Sequence, residues 1–411
     1  MNRNIRWLAG ASGIRGFGLT MVLAYFALYL RNALGVGYLE IGLLAVAVSL
    51  PVLAGAPLGG LLADRVGRRP LFLAALSAET ASILGVAVAM SGDRLFITAL
   101  AVAATGLSGS LGGPAISAYV ADFTAGSERT VAYTWQRVGH NAGYTLGVLT
   151  GGALIGLFGF VWTGFAAGAV LGAGLVVFAT QLEASPFDRA RRPPGTRAGP
   201  ASNPRPSMGE SLRTIRRDRP FLMLALGMAL LTLVTSQWGV TFPLFVNTVL
   251  RVPYLILGAG LSVNGIVVVF GQPLTTRASL GHRHTSLALV GLGCYTVAFL
   301  WIGSLGYIPE LVIGGFVASV FLLTIGENLV SIPYGTLPSN LAPPSEVGAY
   351  NGAFSTLVGV GGILAPLLGG AVLGSVSTPA LVWPILVVPA LPAAWLIRRA
   401  SRRLPPRANL A

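Results

Sequence analysis

The sequence predicts an all-α membrane protein, with twelve transmembrane helices in two pseudo-symmetric six-helix bundles. Three observations carry this. First, 54% of the 411 residues are hydrophobic and only 10% are charged, with a mean hydropathy of +0.75, whereas a soluble chain needs about 25% charged residues to cover its surface. Second, the chain contains twelve apolar runs of the length, about 20 residues, that crosses a hydrocarbon core roughly 30 Å thick. Third, the two halves repeat each other at a nearly constant offset.

In chain order, the first six runs are 14–34, 40–63, 70–90, 94–121, 131–158 and 160–181. The second six are 220–248, 254–275, 285–304, 308–336, 347–374 and 379–399. The first run is too long for a signal peptide and lacks a small-residue cleavage site, so it is expected to remain as a helix. The formal charge is +14, and all 27 basic residues are Arg. A nucleic-acid partner is not expected, because the arginines fall between apolar runs and act as topology signals. With the amino terminus inside, only Arg31, Arg94 and Arg251 lie in external loops, Arg15 and Arg137 lie near helix ends, and 22 are internal. Both termini are therefore expected in the cytoplasm, with the chain a multi-pass protein of the inner (plasma) membrane. The lone Cys294 excludes an intrachain disulfide and a cysteine-based metal site.

The longest interruption, 182–219, holds Pro186, Pro193, Pro194, Pro200, Pro204 and Pro206 with nine arginines and four acids. It reads as a cytoplasmic linker that cannot bury enough apolar area to fold alone, and its arginines can rest on anionic headgroups. It separates a bundle at 1–181 from a bundle at 220–411. Across it, Thr105 and Pro114 correspond to Thr324 and Pro333 at an offset of 219. Gly143, Gly151, Gly152 and Gly156 correspond to Gly361, Gly369, Gly370 and Gly374 at an offset of 218. Duplicated six-helix halves are a transporter architecture, with a site between the repeats.

Between the second and third runs stands Gly59-Gly60-Leu61-Leu62-Ala63-Asp64-Arg65-Val66-Gly67-Arg68-Arg69-Pro70. It reads as a tight internal turn at Gly67, with Arg68 and Arg69 at the headgroups and Asp64 placed to meet cations or a helix N-terminus. This segment resembles the G-x-L-A-D-R-x-G-R-R loop signature of the major facilitator superfamily. The resemblance implies the major facilitator fold and a gate role for Gly60, Asp64, Arg65, Gly67, Arg68 and Arg69, with the Asp latching onto the start of the eleventh helix. The equivalent loop of the second half, Arg277 to His284, keeps Gly281 and Arg283 but no acid, so the latch is expected to be one-sided. On the fifth helix, Gly143-x-x-x-Gly147-Val148-x-x-Gly151-Gly152 resembles a helix motif of drug–proton antiporters in that superfamily, with Val148 in the place of proline. The eleventh helix, Gly361-x-x-x-Ala365-Pro366-x-x-Gly369-Gly370, retains the proline. Small residues at this spacing also let helices approach closely. Thr324-x-Gly326-Glu327 is similar to a segment of bacterial multidrug-type exporters.

A carboxylate near the bilayer centre costs about 2.5–3.5 kcal/mol on insertion scales. Glu327 and Glu79 are placed that deep, and a low dielectric favours the neutral form of a carboxyl, so either could exchange a proton. The family places the tenth helix at the cavity and the third at the periphery, which favours Glu327 for coupling and gives Glu79 a polar partner to hold. Arg137, His140 and Asn141 form a polar patch at helical spacing. Arg137 either snorkels to headgroups, binds an anionic group or compensates a carboxylate, and His140 either packs or titrates. Phe17, Met21, Tyr25 and Tyr29 on the first helix, Gln237 and Trp238 on the seventh and Asn328 on the tenth are cavity-lining candidates, unless the stripe is plain helix packing. Such a lining suits lipophilic or aromatic solutes.

The expected function is therefore secondary active transport by alternating access: export of small amphipathic compounds against protons, by a monomer with no cofactor beyond the proton gradient. A uniporter or symporter of a metabolite such as a sugar or organic acid, or a sensor that does not transport, uses the same fold. An enzyme is not expected, because the chain offers no clustered carboxylates, no phosphate-binding glycine loop and only three histidines. No charged ring or filter repeat suggests a channel, and no linker is long enough for a nucleotide-driven motor.

Overall fold

The structure, a computed structural model, describes residues 3–124, 126–190, 208–343 and 345–410. It is helical almost throughout, because a chain in hydrocarbon must satisfy its backbone groups within each segment. Among the described residues, eleven helical runs are long and apolar enough to span a bilayer. One of them belongs to the continuous run Gly126–Gln181, which is broken at Gly159 by non-helical backbone (φ 80°, ψ 175°). Only glycine adopts that conformation without strain, and the break divides the run into two membrane helices, making twelve. They are α1 (Arg3–Asn32), α2 (Tyr38–Val66), α3 (Arg68–Met90), α4 (Leu95–Phe123), α5 (126–158), α6 (160–181), α7 (Arg219–Val249), α8 (Tyr254–Ser279), α9 (His284–Tyr307), α10 (Pro309–Leu341), α11 (Val347–Ser375) and α12 (Pro379–Ser401).

Two sequence expectations need correction. The first helix begins at Arg3, not near residue 14. Hydropathy averaging registers only the apolar part of a helix, and α1 continues through Arg3, Arg6 and Asn4 before that part begins. Arg15 therefore lies about 18 Å along the helix instead of near its end. The segment 182–219 is also not wholly an unstructured tether. It contains the short helices Pro186–Ala190 and Met208–Arg217, and Leu182 and Ser185 are buried. Pro193, Pro194, Pro200, Pro204 and Pro206 lie outside the described residues.

The chain forms two compact units. One comprises the first six helices together with Pro253–Ile266 of α8, and the other the last six together with Gly37–Leu43 of α2. Within the first unit, the glycines of α5 lie directly on the backbone of α1. Gly139 faces Ala9 and Gly13, Gly143 faces Gly13 and Phe17, Gly147 faces Phe17 and Thr20, and Gly151 faces Met21. Both contact rows advance about four residues per step, so the two backbones run close together, with the Thr20 hydroxyl reaching into the seam beside Gly147. The second unit repeats the backbone contact at Gly361 of α11, on Ala229 and Leu233 of α7, while Gly369 meets the side chains of Gln237 and Thr241. The repeat extends to the exchanged segments. Gly152 meets the backbone of Tyr254 and Gly258 in the first unit, and Gly370 meets that of Tyr38 and Gly42 in the second, where Gly42 also abuts Pro366.

The interior of the second unit is aromatic. Phe299 stacks on Trp383 at 4.5 Å, and Phe242 packs against Phe299, Phe316 and Trp383. Large apolar side chains such as Phe96, Leu100, Phe270 and Leu391 point outward, as a lipid-facing surface requires.

A Cβ on Gly143 would fall inside the backbone of α1. Gly143→Val is expected to destabilise the protein by about 3 kcal/mol or more, at the upper end of overpacking costs. Gly60→Ala, whose added Cβ meets nothing within 4 Å, is expected to leave stability unchanged. Thermal melts of the two variants in one detergent check this.

Candidate functional site

The deepest charges of the first unit form one pair. Glu79 lies midway along α3 and is 1% exposed, and Arg15 of α1 reaches it with both ends of its guanidinium. Nε donates to Oε2 at 2.6 Å and Nη2 donates to Oε1 at 2.7 Å. This bidentate geometry is the strongest form of an arginine–carboxylate contact. Gly109 of α4 closes over it, where a Cβ would stand 2.7 Å from Glu79 Oε1 and also meet Arg15 Nη2. Three helices thus converge on the pair, and α4 can do so only because this position has no side chain. Sequence reasoning expects a polar partner for Glu79 without identifying it. Arg15 was hidden by its apparent place at a helix end, and Gly109 carries no signal of its own among 55 glycines.

Beside the pair is a cavity of about 250 Å³ among α1, α3, α4 and α5. Its polar lining is Ser12 and Arg15 from α1 with Tyr133, Gln136, Arg137 and His140 from α5, and its apolar lining is Ala11, Phe72, Gly113 and Ile116. The contact of α5 with α1 places these groups: a Cβ on Gly16 would stand 3.4 Å from His140 Nδ1, so the imidazole lies beside the Arg15 position on α1. Arg137 and His140, read from the sequence as one patch, share this cavity. Asn141 lies apart from it; its carbonyl accepts from Thr145 and abuts Gly265. Tyr133 and Gln136 were not anticipated, although their spacing from Arg137 and His140 follows the same helical face.

Other predicted cavity residues are engaged in packing. Met21, Tyr25 and Tyr29 are almost fully buried. Tyr25 Oη donates to the Val148 carbonyl at 2.6 Å, and Tyr29 packs edge-on against Phe160 at 5.5 Å. In the second unit, Gln237 is fully buried, donates to the Ala365 carbonyl at 3.0 Å and accepts from Thr241 at 2.6 Å, tying α7 to α11. Trp238 is half-buried against Phe242. Asn328 is buried, with Nδ2 directed at the Val267 carbonyl and Oδ1 unpaired. Glu327, half-buried on α10, lies within electrostatic reach of Tyr295 on α9.

The loop between α2 and α3 is built around reciprocal helix capping. Gly67 takes φ +106°, and a Cβ there would stand 2.7 Å from Asp188 Oδ1. Asp188 accepts from the amides of Arg68 (2.7 Å) and Arg69 (3.1 Å), satisfying the exposed N-terminus of α3. Arg69 returns the contact, donating to the Leu182 carbonyl at 2.7 Å and the Ala179 carbonyl at 2.6 Å at the end of α6. Arg68 pairs with Asp122 of α4 and lies over the Phe187 ring at 4.3 Å. Asp64 and Arg65 are exposed on the last turn of α2, and Gly60 has open space above it. Asp188, from the segment read as a linker, caps the start of α3, and Asp64 of the motif acts on the Arg68 guanidinium through its charge. Among the described residues, no group of three or more His, Cys, Asp or Glu side chains could hold a metal ion.

Removing one member of a buried ion pair leaves the other charge uncompensated, at about 3–5 kcal/mol. Arg15→Gln and Glu79→Gln are each expected to destabilise the protein by that order. The double variant should lose clearly less than the sum, and a double-mutant cycle on unfolding in detergent measures the difference. Additive losses would mean that the two side chains do not meet.

The profile of the Major Facilitator Superfamily matches residues 8–366. An uncharacterised MFS-type transporter of Mycobacterium tuberculosis (strain H37Rv) is 29% identical over 393 residues, covering 93% of this chain and 89% of that protein. The multidrug resistance protein MdtH of Yersinia pestis (strain Pestoides F) is 28% identical over 356 residues, covering 84% of this chain and 81% of its own. Among solved structures, a POT family transporter in complex with 5-aminolevulinic acid superposes with a TM-score of 0.74 at 13% identity, covering 98% of this chain and 97% of its own. A bacterial homologue of the human lysosomal transporter Spinster gives 0.72 at 14% identity, covering 99% and 97%. These structures share the fold. With the profile spanning most of its length, the chain is a member of the Major Facilitator Superfamily, a multi-pass membrane transporter family.

Proposed function

We propose that the protein is a secondary active transporter of the inner membrane that works by alternating access and exports small amphipathic compounds in exchange for protons. The observation that carries this reading is the membrane-embedded cavity of α1, α3, α4 and α5, where charged side chains stand among apolar ones. A chain does not bear the cost of burying such charges without a use for them. The relative named multidrug resistance protein supports the direction and breadth of substrate. The arginine distribution supports a topology with both termini in the cytoplasm.

Glu327 is the proton carrier in this reading. It is the only charged residue of the stretch Val312–Leu341, and its half-buried position lets it meet both water and a low dielectric. Glu79 has a different task. Its two oxygens are held by Arg15, which makes it a positioning residue for the cavity. His140 borders the solute path without carrying the coupled proton.

The experiment is transport of a panel of fluorescent amphipathic compounds in proteoliposomes, with and without an imposed pH gradient. The wild type is expected to accelerate at least tenfold with the gradient. Glu327→Gln is expected to lose that dependence while retaining solute exchange at equilibrium. Wild-type transport that ignores the gradient, or a Glu327→Gln variant that still follows it, would overturn the coupling.

A further inference from the structure

Resting on the transporter reading for the word substrate, we propose that the cavity of the first unit binds the carboxylate of a small organic anion, with Arg137 as the principal ligand. The charges around the cavity do not balance. Its wall holds two guanidiniums, Arg15 and Arg137, and among the described residues the only carboxylate in contact with either is Glu79. That carboxylate is fully committed to Arg15 by two short hydrogen bonds. Among the described residues no carboxylate lies within 4.0 Å of Arg137, and no hydrogen bond satisfies it. Arg137 is exposed at the open side of the cavity, and among the described residues no carboxylate partners it.

An anion restores the balance. A guanidinium presents a planar fork of donors that matches a carboxylate at two points. Ser12 and Gln136 add neutral hydrogen-bonding groups, and Phe72 and Ile116 provide an apolar wall for the rest of the solute. The volume of about 250 Å³ corresponds to roughly eight water molecules at about 30 Å³ each. An aromatic carboxylate the size of benzoate fits that space. A phosphate-bearing lipid headgroup offers the same oxyanion chemistry, and exchange of the lipid distinguishes the two sources.

The test is equilibrium binding of benzoate and of its neutral isostere benzamide to the full chain in phosphatidylcholine nanodiscs. Because binding is read without transport, loss of proton coupling and loss of anion binding are separate results. Benzoate is expected to bind at least tenfold more tightly than benzamide. Arg137→Gln is expected to weaken benzoate at least tenfold, with Arg137→Lys recovering part of the loss and Arg251→Gln, in a distant loop, leaving it unchanged. Ile116→Trp, which fills the cavity without touching a charge, is expected to abolish benzoate binding and guards against a folding defect at Arg137. Equal affinity for benzoate and benzamide, or wild-type affinity in either Arg137→Gln or Ile116→Trp, would overturn the proposal. So would a tenfold loss of benzoate affinity when phosphatidylglycerol replaces phosphatidylcholine, since that would make the lipid headgroup the occupant.

Discussion

Two helices in a lipid bilayer have no hydrophobic reason to associate, since hydrocarbon solvates leucine as well as another leucine does. What remains is dispersion between atoms that approach closely. In this protein the closest approach is made by glycine, with the row Gly139, Gly143, Gly147 and Gly151 pressed on the backbone of α1. The rest of the first unit follows from that contact. It sets the rotation of α5 so that Arg137 and His140 face the side of α1 that carries Ser12 and Arg15. The second unit uses the same device between α11 and α7, and Gly152 and Gly370 extend it to the opening turns of α8 and α2.

Charge is the second constraint, and the protein handles it differently by depth. At the helix ends, charges satisfy backbone groups. Asp188 takes the free amides of α3 while Arg69 covers the free carbonyls of α6, so one short turn serves two helix termini. In the bilayer interior, Arg15 and Glu79 neutralise each other under the cover of Gly109. A neutral pair of this kind positions the cavity without drawing in counter-ions, which leaves Arg137 as its unbalanced charge.

Hydropathy alone locates the helices, because a bilayer demands apolar runs of fixed length. Even the break at Gly159 falls between two of those runs. The glycine spacing on α5 and α11 likewise announces helix contact through residue order alone. What escapes the sequence is anything that depends on two distant residues meeting. Arg15 and Glu79 are 64 positions apart, and the averaging that finds a helix conceals a charge near its start. Asp188 sits in a segment whose composition suggests a tether, and its role depends on a turn more than a hundred residues earlier. Tyr25 and Gln237 look like cavity groups by residue type and spacing, yet their hydrogen bonds are spent on neighbouring backbone. Periodicity tells which residues share a face, not whether that face meets a cavity or a helix.

The cavity depends on the Arg15–Glu79 pair at its wall. Solid-state NMR recoupling between the Glu79 carboxylate and the Arg15 guanidinium, in lipid bilayers, measures this pair directly. The expected result is strong dipolar contact matching N···O separations of 2.6 and 2.7 Å. Absence of recoupling between Glu79 and Arg15 would contradict it.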